Sequence, residues 1–255
     1  MIKNLFHILL ACCAMAACVK DVSSENVYQS EMRSIQILMS PDSIPADGSS
    51  QAKIDIQVLP NDQTDSINLA GFNFTVTTSL GTFASNSQTT ISLQPSYGLD
   101  STGTKRRYNA EIMLASGTKP GKAMLKIKYS NVEVDTSIDF YTAYPNKIKL
   151  TASSLLTAPD FSQEDTIYLQ LSSTTGLPSA GAVTTLTAYD TTMTRPLGLF
   201  RISNNKSNAT GLCYYIFVLG DSTINRSNYL GTVNLVAAAF NGQDSIKNTL
   251  QIYSR

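Results

Sequence analysis

Tryptophan is missing from the 255 residues, histidine occurs once and cysteine four times. Each scarcity removes a kind of chemistry. The one histidine, His7, falls in the N-terminal apolar run Leu5-Phe6-His7-Ile8-Leu9-Leu10-Ala11, so the rest of the chain has no imidazole. That excludes Ser-His-Asp and Cys-His triads and any His-bearing zinc site. Carboxylates are few, with five Glu and fourteen Asp, and no motif pairs Glu111, Glu133 or Glu164 as acid and base. Walker, Rossmann and EF-hand signatures are absent. Charged residues make up only 15% and balance to a formal net charge of zero, which gives no footprint for nucleic acid. The expectation is a non-enzyme with no catalytic, cofactor-binding or metal-ligating residue, no cofactor and no nucleic-acid partner.

What is present begins with an export signal. Lys3 precedes the apolar run, which is shorter than the roughly 20 residues that a membrane-spanning helix needs. The run leads to Met15-Ala16-Ala17-Cys18, which resembles a lipobox. The resemblance implies cleavage after residue 17 and acylation of Cys18, so that the mature protein meets the membrane through a lipid anchor. Cys12 and Cys13 leave with the signal, and Cys213 alone cannot make an internal disulfide. It reads as a small buried hydrophobe on the strand Leu212–Phe217. Residues 18–33 are polar, lack a clear period, and read as a flexible tether. Lys20-Asp21 after Cys18 resembles the export signals of surface lipoproteins in Bacteroidetes. This implies an outer-membrane, lipid-anchored protein, at the cell surface or facing the periplasm.

Past the tether, period-two alternation dominates. Ala52, Ile54, Ile56 and Val58 alternate with Lys53, Asp55 and Gln57; Ala123, Leu125, Ile127 and Tyr129 alternate with Lys122, Lys126 and Lys128. Val132, Val134, Thr136, Ile138 and Phe140 continue the pattern. One apolar and one polar face suit antiparallel sheets that cover a core on one side. Short strands parted by Asp47-Gly48, Pro60-Asn61-Asp62, Leu80-Gly81 and Lys119-Pro120-Gly121 point to a β-sandwich.

The chain then repeats itself. Ile37, Ile54, Ile56 and Val58 return 113 residues later as Leu150, Ile167, Leu169 and Leu171. Leu80-Gly81-Thr82-Phe83 returns as Leu197-Gly198-Leu199-Phe200, and Asp139-Phe140-Tyr141 as Gln251-Ile252-Tyr253. A unit of about 110 residues is the size of one immunoglobulin-like domain. The reading is all-β: a signal peptide at 1–17, the tether at 18–33, and two tandem immunoglobulin-like β-sandwiches at 34–143 and 146–255. Pro145 in the short link restricts their relative orientation. Ile44-Pro45-Ala46-Asp47-Gly48-Ser49-Ser50-Gln51-Ala52-Lys53-Ile54, Phe74 through Phe83 and Lys119 through Ala123 resemble the bacterial immunoglobulin-like domains of invasin and intimin. The resemblance implies a stalk or adhesive module. The second unit departs from it where Ala158-Pro159-Asp160-Phe161 replaces the opening turn.

Seven triplets fit Asp-(Ser/Thr)-(apolar or Thr) and resemble the O-glycosylation acceptor of exported Bacteroidetes proteins. They mark Ser43, Ser66, Ser101, Thr166, Thr191, Ser222 and Ser245 as candidate modification sites. Isolated Asp residues near turns otherwise read as turn formers. Lys105-Arg106-Arg107 reads as part of a protease-sensitive loop, and Lys122, Lys126 and Lys128 as a solvated sheet face. Of Tyr214 and Tyr215, at least one packs inward. The function expected from these readings is a non-enzymatic envelope lipoprotein, a spacer or adhesion module with an unidentified protein or glycan ligand. The alternative is an accessory glycan-binding lipoprotein of an outer-membrane uptake system.

Overall fold

Alternation in the sequence becomes burial in the computed structural model, which describes residues 26–30, 33–60, 73–99, 106–129, 132–220 and 229–255. Along β10 (Gly121–Tyr129), Ala123, Leu125, Ile127 and Tyr129 are buried while Lys122, Met124, Lys126 and Lys128 are exposed. The same two-sided pattern runs through β11 (Val132–Tyr141) and β14 (Glu164–Ser172). Every regular element among the described residues is a strand.

The strands form four sheets in two facing pairs. In the first pair, one sheet runs β1 (Asn26–Ser30), β2 (Arg33–Ser40), β4 (Gln51–Pro60), β9 (Arg106–Ala115). Short β6 (Thr82–Phe83) and β8 (Ser96–Leu99) share the outer edge of β9. The opposing sheet runs β3 (Ser43–Pro45), β11, β10, β5 (Phe74–Thr78), β7 (Thr90–Leu93). Between them lie Ile37, Ile54, Ile56, Phe74, Phe83, Leu125, Ile127 and Phe140, all buried. The second pair is β12 (Lys147–Ala152), β14, β17 (Leu212–Val218), β16 (Leu199–Asn204) against β13 (Leu156–Thr157), β19 (Ser245–Ser254), β18 (Gly231–Phe240), β15 (Thr184–Tyr189). Its separate core holds Ile167, Leu169, Leu171, Cys213, Phe217, Leu235 and Ile252. Each such side chain contributes about 1.5–3 kcal/mol by leaving water.

In both units the first strand switches sheets part-way, so that β3 and β13 pair in parallel with β11 and β19. Four strands face four in the second unit, with the connectivity of an immunoglobulin-like sandwich. The fold is all-β, two such sandwiches in tandem.

Three sequence readings change. Asn26–Ser30, placed in the tether, pair antiparallel with β2 from Asn26↔Ile37 to Ser30↔Arg33. That pairing satisfies backbone groups which an edge strand would leave open, and it needs no apolar alternation to do so. Arg106 and Arg107, placed in a loop, open β9, and the Arg107 guanidinium donates to Gln57 on β4 and to Gln36 on β2. The second unit does keep an opening turn. Asp160 accepts from the Ser162 N–H at 3.1 Å and from its hydroxyl, as Asp47 does from Ser49. Phe161 occupies the left-handed position (φ 61°) that Gly48 occupies in the first unit (φ 76°). A side chain is uncommon there. The Phe161 ring lies where a Cβ on Gly220 would stand, 1.8 Å away, so Gly220 makes room for it.

Candidate functional site

The chemistry-bearing groups that the fold does bring together lie where the sandwiches meet. Asp47 is 1% exposed, and no Lys or Arg is among its bonded partners. Its Oδ1 accepts from the Ser49 N–H (2.9 Å), the Ser50 N–H (2.7 Å) and the Ser116 hydroxyl (3.2 Å). Its Oδ2 accepts from the Ser50 hydroxyl at 2.8 Å and from the Thr175 hydroxyl, which belongs to the second sandwich, at 2.5 Å. Burial pushes the Asp47 carboxyl up, but the Thr175 hydroxyl, the Ser50 and Ser49 N–H groups and the Ser50 hydroxyl outweigh it. They hold the group well below the usual carboxylate range. A buried carboxylate ringed by donors stays ionised without a cation.

Around that charge, residues 173–181 of the second sandwich lie against the first. The Leu177 N–H donates to the Asp47 carbonyl at 3.0 Å, and the Ala180 N–H to the Thr118 carbonyl at 2.7 Å. Ser49 Oγ lies 2.8 Å from the Thr175 carbonyl. Ser179 completes an interrupted ladder. Its hydroxyl accepts from the Ala143 N–H (2.9 Å) and donates to the Ala46 carbonyl (3.0 Å), while its own N–H donates to the Ala143 carbonyl (2.8 Å). In the second sandwich the corresponding rung closes directly, Arg255 N–H to Thr157 carbonyl. Ser179 thus enters the first sandwich's sheet as a bridging link. Gly176 allows the approach, since a Cβ there would lie 2.6 Å from Ser49 Oγ and 2.8 Å from the Asp47 carbonyl. Beside the joint, Tyr144 meets Phe240 edge-to-face with ring centroids 5.7 Å apart. These rings, with Pro120, Pro145, Ser179 and Val183, line a cleft of about 340 Å³.

The residues singled out from sequence are scattered. Cys18, Ser66, Ser101 and Ser222 lie outside the described residues. Ser43, Thr191 and Ser245 are exposed, Ser43 on β3, Thr191 in a turn and Ser245 at the start of β19. Thr166 is half-buried in the middle of β14, its N–H bonded to the Ser153 hydroxyl, and Asp165 beside it faces the core at 1% exposure. Asp190 is a turn former, accepting from the N–H groups of Thr192, Thr194 and Arg195. Cys213 is free and buried, and burial pushes its thiol up, away from reactivity. Tyr215 is the inward tyrosine and donates to the Thr184 carbonyl at 2.8 Å, while Tyr214 is exposed. Sequence reasoning identified the Asp47 turn but not the partner 128 residues away. Thr175, Gly176 and Ser179 lie in a stretch of ordinary loop composition, so no local signal pointed to them.

The fold and this joint define a tandem immunoglobulin-like module whose two units are hydrogen-bonded end to end. No protein-family model and no curated protein matches the sequence. Among solved structures the chain is similar to invasin, described as a bacterial integrin-binding protein. The TM-score is 0.52 at 18% identity, over 84% of this chain and 38% of that one. It also aligns with the Yersinia pseudotuberculosis adhesin InvE, with a TM-score of 0.47 at 14% identity, over 86% of this chain and 58% of that one. The chain therefore spans about two-fifths to three-fifths of the length of these structures. The likeness to invasin shows the immunoglobulin-like sandwich fold.

Proposed function

We propose that this chain is a non-enzymatic spacer or adhesion module of the bacterial envelope. It is held by lipid on Cys18 and carries its second sandwich in a set arrangement relative to the first. The observation that carries the reading is the joint. An ordinary linker would leave two sandwiches free to reorient. Here the Asp47 carboxylate, the Ser179 bridge and the backbone bonds of Leu177 and Ala180 tie them together. The adhesin neighbours build on the same sandwich, which supports the reading without supplying a ligand. Several acyl chains at Cys18 would hold the protein on a bilayer, at about 0.8 kcal/mol per buried methylene. Ser43, Thr191 and Ser245 are the O-glycosylation candidates with open surface around them. The position of Asp165 and Thr166 speaks against the fourth described triplet.

The test is protease treatment of intact cells together with mass spectrometry of the purified protein. The expected result is cleavage on whole cells, a triacylated Cys18 at the mature N-terminus, and release of the Cys18→Ala variant from the membrane fraction. An unmodified amino terminus on a soluble protein would overturn the anchor, and full protection on intact cells would turn it toward the periplasm.

A further inference from the structure

The outward face of the sheet β12-β14-β17-β16 holds a second feature, independent of the spacer reading. Its register sets four side chains in one row across the strands: Thr151 opposite Tyr168, Tyr168 opposite Tyr214, Tyr214 opposite Asn204. All four are exposed, and the two central tyrosines remain 41% and 37% open to solvent. Neighbouring strands stand about 4.8 Å apart, so Tyr168 and Tyr214 leave the sheet as direct neighbours on one face. The half-buried Ile216 and Leu212 flank Tyr214 along β17. Among the described residues no side-chain hydrogen bond engages Thr151 or Asn204.

The fold does not impose this row, because the first sandwich repeats the positions with different chemistry. There the row reads Leu38, Asp55, Glu111, with Lys53 bonded to Glu111 at 2.8 Å and 3.2 Å from Asp55. Where the first unit presents ion-paired side chains, the second presents two exposed, uncharged aromatic side chains flanked by a hydroxyl and an amide. The nearest carboxylate on that face, Glu164, is paired with Arg201 at 2.7 Å.

We infer that Tyr168 and Tyr214 form a stacking platform for a neutral oligosaccharide, one pyranose ring on each phenol, with Thr151 and Asn204 bonding its hydroxyls at either end. Tyr168 and Tyr214 are direct partners on adjacent strands, so consecutive sugars of an extended chain meet consecutive tyrosines. A sugar's apolar face suits the ring and its rim of hydroxyls suits the polar ends. Lys149, exposed on β12 one row away, adds a donor at the edge. A protein anchor site centres instead on a pocket closed to water, whereas all four side chains of this row are exposed.

The experiment is calorimetry of the chain carrying Cys18→Ala with cello-, laminari-, xylo- and mannohexaose and with polygalacturonate. Tyrosine fluorescence is a second readout, usable because the protein has no tryptophan. At least one neutral hexaose binds and quenches tyrosine emission. Combined Tyr168→Ala and Tyr214→Ala weakens that binding at least about tenfold while unfolding temperature confirms an intact fold. Tyr168→Phe and Tyr214→Phe, which keep the rings, retain it, and Asp55→Ala in the first sandwich leaves it unchanged. Absence of binding by every neutral hexaose overturns the inference, as does a double variant that binds as well as the parent. Binding confined to polygalacturonate and abolished by salt overturns it in favour of simple charge attraction. Loss of attachment to a protein-coated surface in the double variant, with no sugar bound, overturns it in favour of a protein ligand.

Discussion

The same Asp-x-Ser turn opens both sandwiches, at Asp47-Gly48-Ser49 and at Asp160-Phe161-Ser162, and the two copies have opposite fates. Asp47 is buried, and its second oxygen receives a hydroxyl from the neighbouring sandwich. Asp160 is exposed, with Ser162 as its side-chain partner. In the first unit the left-handed position is Gly48, where a Cβ would meet Thr118 at 3.3 Å, and residues 173–181 approach through Gly176 instead. In the second, Phe161 fills that position and lies over Gly220. The outward sheets diverge in the same way, ion pairs in one and tyrosines in the other. A duplicated fold thus keeps its strand register, which the core dictates, and is free to change whatever the core does not touch.

The largest effect expected from breaking this comparison is at the turns. Asp47→Ala removes the acceptor of six donors and strands several of them, which costs about 3 kcal/mol at neutral pH. Asp160→Ala removes a solvated turn contact and leaves the unfolding midpoint near that of the parent. Denaturant unfolding of both variants measures the difference. Equal losses would mean that the joint adds nothing to the turn. The sign of the pH dependence follows from the depressed Asp47 carboxyl. Its stabilisation is present above the ordinary carboxylate range and disappears only as pH falls through its lowered value. Mild acid, in which ordinary carboxylates begin to protonate, therefore leaves the joint closed.

A smaller change is expected on the first sandwich's outward face. Lys53→Met removes both ion pairs; Lys53 and Glu111 are exposed and Asp55 partly so, and stability falls by no more than about 1 kcal/mol. A larger loss in thermal unfolding would show that this face is structurally coupled to the core.

Much of this comparison was legible in the sequence, because strands declare themselves through alternation. Ala52, Ile54, Ile56 and Val58, and their repeats Ile167, Leu169 and Leu171, are all buried where the period placed them. The strand Asn26–Ser30 escaped, since its pairing rests on backbone groups and its sequence lacks apolar alternation. So did the joint. Ser173 through Gly181 has the composition of any loop, and nothing local to Asp47 announces a hydroxyl donor 128 residues away. The tyrosine row was half legible: one of Tyr214 and Tyr215 had to point out, but its neighbour Tyr168 is set by cross-strand register, which alternation within one strand does not reveal.

The central claim is that the two sandwiches hold one fixed arrangement. It is tested most directly by electron-spin distance measurements between labels at exposed Glu133 and Lys247, one in each sandwich, with the buried Cys213 left unlabelled. One narrow distance distribution is predicted, the same at neutral and mildly acidic pH, and broadened by Gly176→Ala, whose Cβ would collide with Ser49 and Asp47. A broad distribution in the unmodified joint, indifferent to Gly176→Ala, would contradict it.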